Sequence, residues 1–187
     1  LNVPRIGVRF RLPASMNQVE YFGRGPAENY LDRNAGSMIG LYKSTAEELY
    51  FPYVRPQENG HHTDTRWVSL STGKKGLLIQ ADNTIGFNAL RNSIEDFDDE
   101  EATGLPRQWS NFTPEQVANH DEAAAKSVLR RQHHINDITP RDFVEVCVDL
   151  KQQGVAGYDS WGSRPEPAYT LPANREYNWG FTLIPLK

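Results

Sequence analysis

The chain has 187 residues, which is enough for one domain with a core that needs no metal or disulfide. Its 20 basic and 24 acidic residues give a net charge of −4, too small to favour nucleic acid or an anionic membrane as a partner. No apolar stretch approaches the roughly 18 residues of a membrane span.

A period-two alternation of apolar and polar residues is the main local pattern, and it predicts β-strands. In chain order, the strands are expected at 8–12, in a hairpin over 67–81 with its turn at 71–76, at 144–149 and at 177–183. Each strand has an apolar face, so we expect a second sheet or a neighbouring domain to cover it.

Helix signals are few. A threonine cap, a proline at the first helical position and a glutamine three residues after the cap predict a short helix over 114–119. The alanine-rich segment 121–127 is expected to extend or follow it, and 44–50 to form a further single turn. The acidic segment 92–106 is expected to be a solvated loop. A calcium site is the alternative there, although the spacing fits no calcium-loop pattern.

The sequence contains no persuasive catalytic centre. The single cysteine, Cys147, lies within a predicted strand, where a thiol is inert and has no disulfide partner. Neighbouring residues of a strand point to opposite faces, so His61 and His62 are not expected to share a metal ion. Glu28 and Asp32 lie in no apolar setting that would raise their pKa values, and we expect both to pair with nearby arginines, Arg24 or Arg33.

The clearest candidate for ligand contact is an aromatic segment in a glycine-rich loop at 157–162. It contains Tyr158, Asp159, Ser160 and Trp161, followed by two prolines. Sugars bind through stacking of their C–H faces on aromatic rings, with polar groups fixing the orientation. From the pattern alone, packing of the loop or an interface remains the alternative.

Three motifs in this order resemble the small chain, or fifth domain, of family 2 β-galactosidases. The first is similar to the family's GxGPxENYxDR signature, and its matching residues are Gly23, Gly25, Pro26, Glu28, Asn29, Tyr30, Asp32 and Arg33. The second resembles the family's YxxPQENG loop and ends in Glu58, Asn59 and Gly60. The third is the Asp-Ser-Trp triplet at 159–161, where Ala156 and Tyr158 depart from the family's usual residues.

The resemblance implies the fold and the setting of the chain. It implies an all-β antiparallel supersandwich, similar to galactose mutarotase, with one or two short helices. Residues 1–187 would be a single domain and the later portion of that sandwich, with Leu1 a cut within a longer product and some apolar strand faces uncovered. A cytoplasmic location is expected, or a periplasmic one if a signal peptide was removed.

The resemblance also implies a function. The parent enzyme would be a retaining β-galactosidase, whose two catalytic glutamates lie on an upstream TIM barrel of the same polypeptide. Trp161 would provide the platform for the non-galactosyl half of lactose, with Asp159 and Ser160 holding the loop and Tyr158 adding a second ring. The signature residues would be architectural. No catalytic residue, metal or cofactor is expected within this chain, because the family's Mg and Na sites lie elsewhere.

Two other functions stay open at this stage. One is a free-standing carbohydrate-binding module. The other is a mutarotase-like epimerase, which requires a histidine and a glutamate in one cleft, and His133 or His134 with Glu145 are the candidates. The sequence leaves a homo-oligomer open, and the natural galactoside is not specified.

Overall fold

The computed structural model describes residues 1–54, 56–97, 135–159 and 162–187. The chain divides into two compact units. The first comprises Leu1–Phe51, Asn59–Arg91 and Arg141–Lys187, and the second comprises Pro52–Glu58 and Asn92–Pro140. The expectation of a single domain stays a prediction.

The first unit contains one antiparallel sheet, to which seven strands of the described chain belong. The strands are β1 (Arg5–Pro13), β2 (Gln18–Gly25), β3 (Met38–Thr45), β4 (His62–Ser71), β5 (Gly76–Leu90), β6 (Phe143–Gln152) and β7 (Phe181–Leu186). Their order is β1-β6-β5-β4-β2-β3, and β7 pairs with β5. Strand β5 has 15 residues, so its first part pairs with β7 and its last part with β6. The all-β antiparallel prediction is confirmed, and the sheet is consistent with a sandwich.

The core lies along the central strands β4, β5 and β6. Val68, Ile79, Phe87 and Val146 are fully buried there, because alternate positions of neighbouring strands share one face. In β6 the other face is buried as well, and it contains a glutamate, a cysteine and an aspartate. These polar groups therefore need partners within the protein.

The local predictions for the hairpin and for the turn at 44–50 are confirmed. The hairpin joins β4 to β5 through Thr72–Lys75, closed by the hydrogen bond from Thr72 N to Lys75 O. After β3, Leu49 N donates to Thr45 O, which forms one helical turn. Glu48 N donates to Thr45 Oγ1 while Thr45 N donates to the Glu48 carboxylate, and this reciprocal pair is a capping box.

Other local predictions differ from the structure. The last strand begins at Phe181, although the alternation begins at Tyr177, because its pairing with β5 begins only there, opposite Ala81. Strands β2 and β3 were not predicted. The helices expected at 114–119 and 121–127 lie outside the described residues, within which the helical elements are three short 3-10 turns: Ile94–Asp96, Ile135–Asp137 and Pro167–Tyr169.

The described part of the second unit consists of short irregular segments. Ile135 N donates to Val54 O, and the Asn92 side chain donates to Thr139 O. Of the acidic segment predicted at 92–106, residues 92–97 are described. Ser93 N there donates to the Asp96 carboxylate at the start of the 3-10 turn.

Apolar side chains are exposed on the pair β2 and β3. Phe22, Met38, Ile39 and Leu41 are the large ones, with Met38 70% exposed. Their exposure agrees with the expectation that some strand faces are uncovered. Within the described residues, no helix has the length and hydropathy needed to cross a membrane.

Candidate functional site

The signature residues form a tight turn that follows β2. Tyr30 N donates to Arg33 O and Arg33 N donates to Tyr30 O, so Leu31 and Asp32 occupy the two central turn positions. The ring of Tyr30 is buried, and the Arg33 guanidinium lies 5.0 Å from its centroid. The turn is thus closed at its base, with Asp32 at one of its central positions.

Glu28 joins this turn to the loop before β4. One carboxylate oxygen accepts hydrogen bonds from Gly60 N at 2.7 Å and from the Tyr30 hydroxyl, while the other pairs with Arg33 at 2.8 Å. The expected pairing of Glu28 with an arginine is therefore found. Because Gly60 has a φ of 72°, its backbone suits glycine, and its amide can face the carboxylate.

Asn29 is completely buried and uses both ends of its amide. Its Nδ2 donates to the carbonyl oxygens of Arg24 and Ala27, and its Oδ1 accepts from the backbone and hydroxyl of Thr63. Asn29 N also donates to His61 O. The side chain therefore fixes the end of β2 against the start of β4. Thr63 was missed by the sequence analysis, because no motif marks it.

Asp32 has a different partner from the one expected. Its Oδ1 accepts from Val155 N at 3.0 Å and its Oδ2 from Ala156 N at 2.8 Å. These amides begin the loop that follows β6. Arg24, the other expected partner, instead pairs with Asp64 and donates to Ser37 O.

We call Glu28, Asn29, Asp32 and their hydrogen-bond partners the signature network. Gly60 is one of these partners, and Asn59 directly precedes it in sequence. Asn59 is buried, its Oδ1 accepts from Phe51 N, and its carbonyl accepts from the Asn88 side chain. At Gly23, a Cβ would lie 2.5 Å from Thr65 Oγ1, so β2 and β4 can approach only without one. Gly25 and Pro26 are joined by a cis peptide bond. Glu58 lies in the second unit and is half-buried.

A second buried polar group, here called the ionic cluster, joins β1, β5 and β6. The Arg5 guanidinium lies 3.0 Å from the Asp149 carboxylate and also donates to Asn88 Oδ1 and Gln152 Oε1. His61 Nδ1 lies 2.8 Å from the same Asn88 oxygen. Since that oxygen is an acceptor, the Nδ1 of His61 is the donor.

The rings of the two adjacent histidines have different surroundings. His61 stacks on Tyr30 and lies in the ionic cluster, whereas His62 stacks on Phe87 and has its ring nitrogens near Gly60 O and Pro26 O. Burial and, to a smaller extent, the nearby Arg5 together lower the pKa of His61 to about 3, although the hydrogen bond to Asn88 opposes them. Burial also lowers the pKa of His62, against the two carbonyl contacts. Both rings are therefore neutral near pH 7.

The aromatic loop begins at the end of β6. Tyr158 is 59% exposed, and its backbone N donates to Ser163 Oγ. Asp159 is also exposed. Ser160 and Trp161 lie outside the described residues, so the contact expected for Trp161 stays a prediction. The structure thus connects the signature network to the beginning of this loop.

The other candidates can be placed only in part. Glu145 is buried and lies within 4 Å of Arg9 and Arg11, while His133 and His134 lie outside the described residues. Cys147 is buried in β6, and its sulfur lies 3.8 Å from the Arg5 guanidinium. Within the described ranges, no group of three histidine, cysteine, aspartate or glutamate side chains has the arrangement of a metal site. Residues 98–106 of the acidic segment are also outside them.

Comparison with known proteins gives a consistent result. The sequence matches the family described as the beta galactosidase small chain over residues 1–183. A β-galactosidase of Priestia megaterium is 35% identical over 185 residues, which is 98% of this chain and 15% of that protein. One from Vibrio cholerae is 29% identical over 97% of the chain and 14% of that protein, and one from Arthrobacter is 41% identical over 50% of the chain and 10% of that protein. The chain thus spans about 15% of the length of relatives that it matches throughout.

Proposed function

Because this chain belongs to the β-galactosidase small-chain family, we propose that it is a non-catalytic C-terminal domain of a retaining β-galactosidase. The enzyme hydrolyses terminal β-D-galactosyl groups on a barrel elsewhere in the same polypeptide. Trp161 contributes an aromatic platform to the side of the active site that binds the leaving group.

The single observation that best supports this proposal is the exposure of side chains in the loop after β6. Tyr158 and Val155 are 59% and 44% exposed, although the loop follows a strand that is almost entirely buried. A ring exposed in such a loop, as that of Tyr158 is, is available to a ligand or to another domain. The sequence continues from it to Trp161 within three residues.

A non-catalytic role is supported by what surrounds the carboxylates. Glycoside hydrolysis needs an acid with a raised pKa and a second free carboxylate nearby. Glu28 and Asp32 accept backbone hydrogen bonds, and Glu145 lies beside two arginines. These contacts favour structural roles for the acids that the sequence had singled out.

The test is Trp161→Ala in the full-length polypeptide, with lactose and methyl β-galactoside compared as substrates. Removing the ring is expected to raise KM for lactose about tenfold, the effect of about 1.4 kcal/mol, because the leaving-group sugar loses its stacking surface. Methyl β-galactoside has no second sugar, so its KM should change little.

Trp161→Phe is the matched control, because it keeps a flat apolar ring and should retain most of the lactose affinity. Equal KM values for lactose in the wild type and in Trp161→Ala would contradict the proposal. Calorimetry of the isolated chain with galactosides adds a second check, since millimolar or tighter binding there would favour an independent sugar-binding module instead.

A further inference from the structure

Asp32 joins two segments that are 124 residues apart in sequence. It lies at a central position of the Tyr30–Arg33 turn, whose base is closed by two backbone hydrogen bonds. Its two oxygens accept from consecutive amides, those of Val155 and Ala156, so both the position and the direction of that backbone are set.

The approach between the two segments is close. A Cβ on Gly154 would overlap the Asp32 carboxylate, so only glycine fits there without displacing it. Gly154 N also donates to Tyr169 O at 2.8 Å. The backbone at 154–156 is therefore held by two separate segments of the chain.

The backbone beyond this point has an unusual conformation. Ala156 has a φ of 55°, a left-handed value that is unfavourable for a residue with a Cβ, and Gly157 follows with a φ of 88°. Such a conformation persists when its surroundings hold it. The hydrogen bond from Ala156 N to the Asp32 carboxylate holds the residue that has the left-handed conformation.

We infer that Asp32 is a positioning residue for leaving-group specificity: its carboxylate sets the direction in which the chain leaves β6 toward the aromatic segment. The inference rests on the function proposed above, and it assigns Asp32 a role beyond the folding of its own turn. Asp32 itself need not touch sugar, because it acts through the backbone of 154–157.

The direct experiment uses Asp32→Asn in the full-length polypeptide. The variant keeps the shape of the side chain but places an NH2 group against a backbone N–H. Hydrogen exchange of the Val155 and Ala156 amides should accelerate about tenfold or more. KM for lactose should rise about fivefold or more, with kcat and the kinetics of methyl β-galactoside nearly unchanged. Asp82→Asn, an exposed carboxylate beside Gly180, is the matched control and should change neither measurement.

A second variant reaches the same contact from the other side. Gly154→Ala should displace the carboxylate and reproduce the effects of Asp32→Asn. In the background of Asp32→Ala, which removes the carboxylate, Gly154→Ala should have little additional effect. Similarly, Asp32→Asn should add little to Trp161→Ala, because both changes affect one contact.

The outcomes separate this inference from the proposed function. One outcome is that Trp161→Ala raises KM for lactose while Asp32→Asn and Gly154→Ala leave the ratio of lactose to methyl β-galactoside KM values at the wild-type level. That result would reject the positioning role of Asp32 and retain the proposed role of Trp161. If Trp161→Ala has no effect on lactose, the proposed function fails first. Loss of folded protein in every Asp32 and Gly154 variant would also overturn the inference, because the fold as a whole would then require the contact.

Discussion

The signature network and the ionic cluster contain similar residue types but bind different groups. In the signature network, Glu28, Asn29 and Asp32 accept hydrogen bonds from backbone amides of distant segments. In the ionic cluster, Arg5 pairs with Asp149 and donates to Asn88 across strands that are already paired. The first arrangement orients loops, whereas the second satisfies polar groups within the sheet. Substitutions should separate an effect on loop position from an effect on stability.

The largest stability effect is expected at Asp149. Asp149→Ala leaves the Arg5 guanidinium, which is 18% exposed, without its carboxylate partner. We expect the free energy of unfolding to fall by about 3–5 kcal/mol. Urea unfolding of the 187-residue chain measures it, with the exposed Asp82→Ala as control. A loss below about 1 kcal/mol would mean that the cluster contributes little to stability.

Asn29→Ala should have the next largest effect. The substitution removes the hydrogen-bond partners of Thr63 N and of the Arg24 and Ala27 carbonyl groups in a fully buried site. We expect it to lower the free energy of unfolding by about 2–4 kcal/mol. Asn83, which is exposed, supplies the matched control Asn83→Ala. Equal midpoints for the two variants in urea would show that the network does not stabilise the fold.

The third test is a dependence of stability on pH, to which His61 of the ionic cluster contributes, and its effect per pH unit is the smallest of the three. The pKa of His61 is lowered to about 3 in the folded chain, so the unfolded chain binds more protons between pH 6.5 and that value. Stability due to His61 is complete above pH 6.5 and is lost as pH falls, at up to about 1.4 kcal/mol per unit. Urea unfolding between pH 7 and 4 should show a shallower slope in His61→Gln. An unchanged slope would contradict the assignment of a neutral buried ring.

Local patterns predicted the strands well where a strand has its own alternation. The hairpin from β4 to β5 and the run of valines in β6 are examples. Their apolar residues recur at every second position, so the local sequence alone indicates a strand. Strands β2 and β3 were missed, since β2 ends within the glycine-rich signature. The start of β7 depends on its partner strand rather than on its own sequence.

The candidate site was predictable only in part, for a related reason. The motif marked Glu28, Asn29 and Asp32, and nearness in sequence suggested the pairing of Glu28 with Arg33. The contact of Asp32 with Val155 and Ala156 spans more than 120 residues and uses backbone groups, which every residue has. No side-chain pattern specifies such a pair, so only the folded chain identifies it.

In the proposed function, the indole of Trp161 provides a surface for the leaving-group sugar. The most direct measurement is a crystal structure of the full-length polypeptide with a non-hydrolysable lactose analogue. We expect ring carbons of Trp161 within about 4.5 Å of the C–H face of the second sugar. An indole packed within the sheet, with the second sugar contacting other side chains, would contradict it.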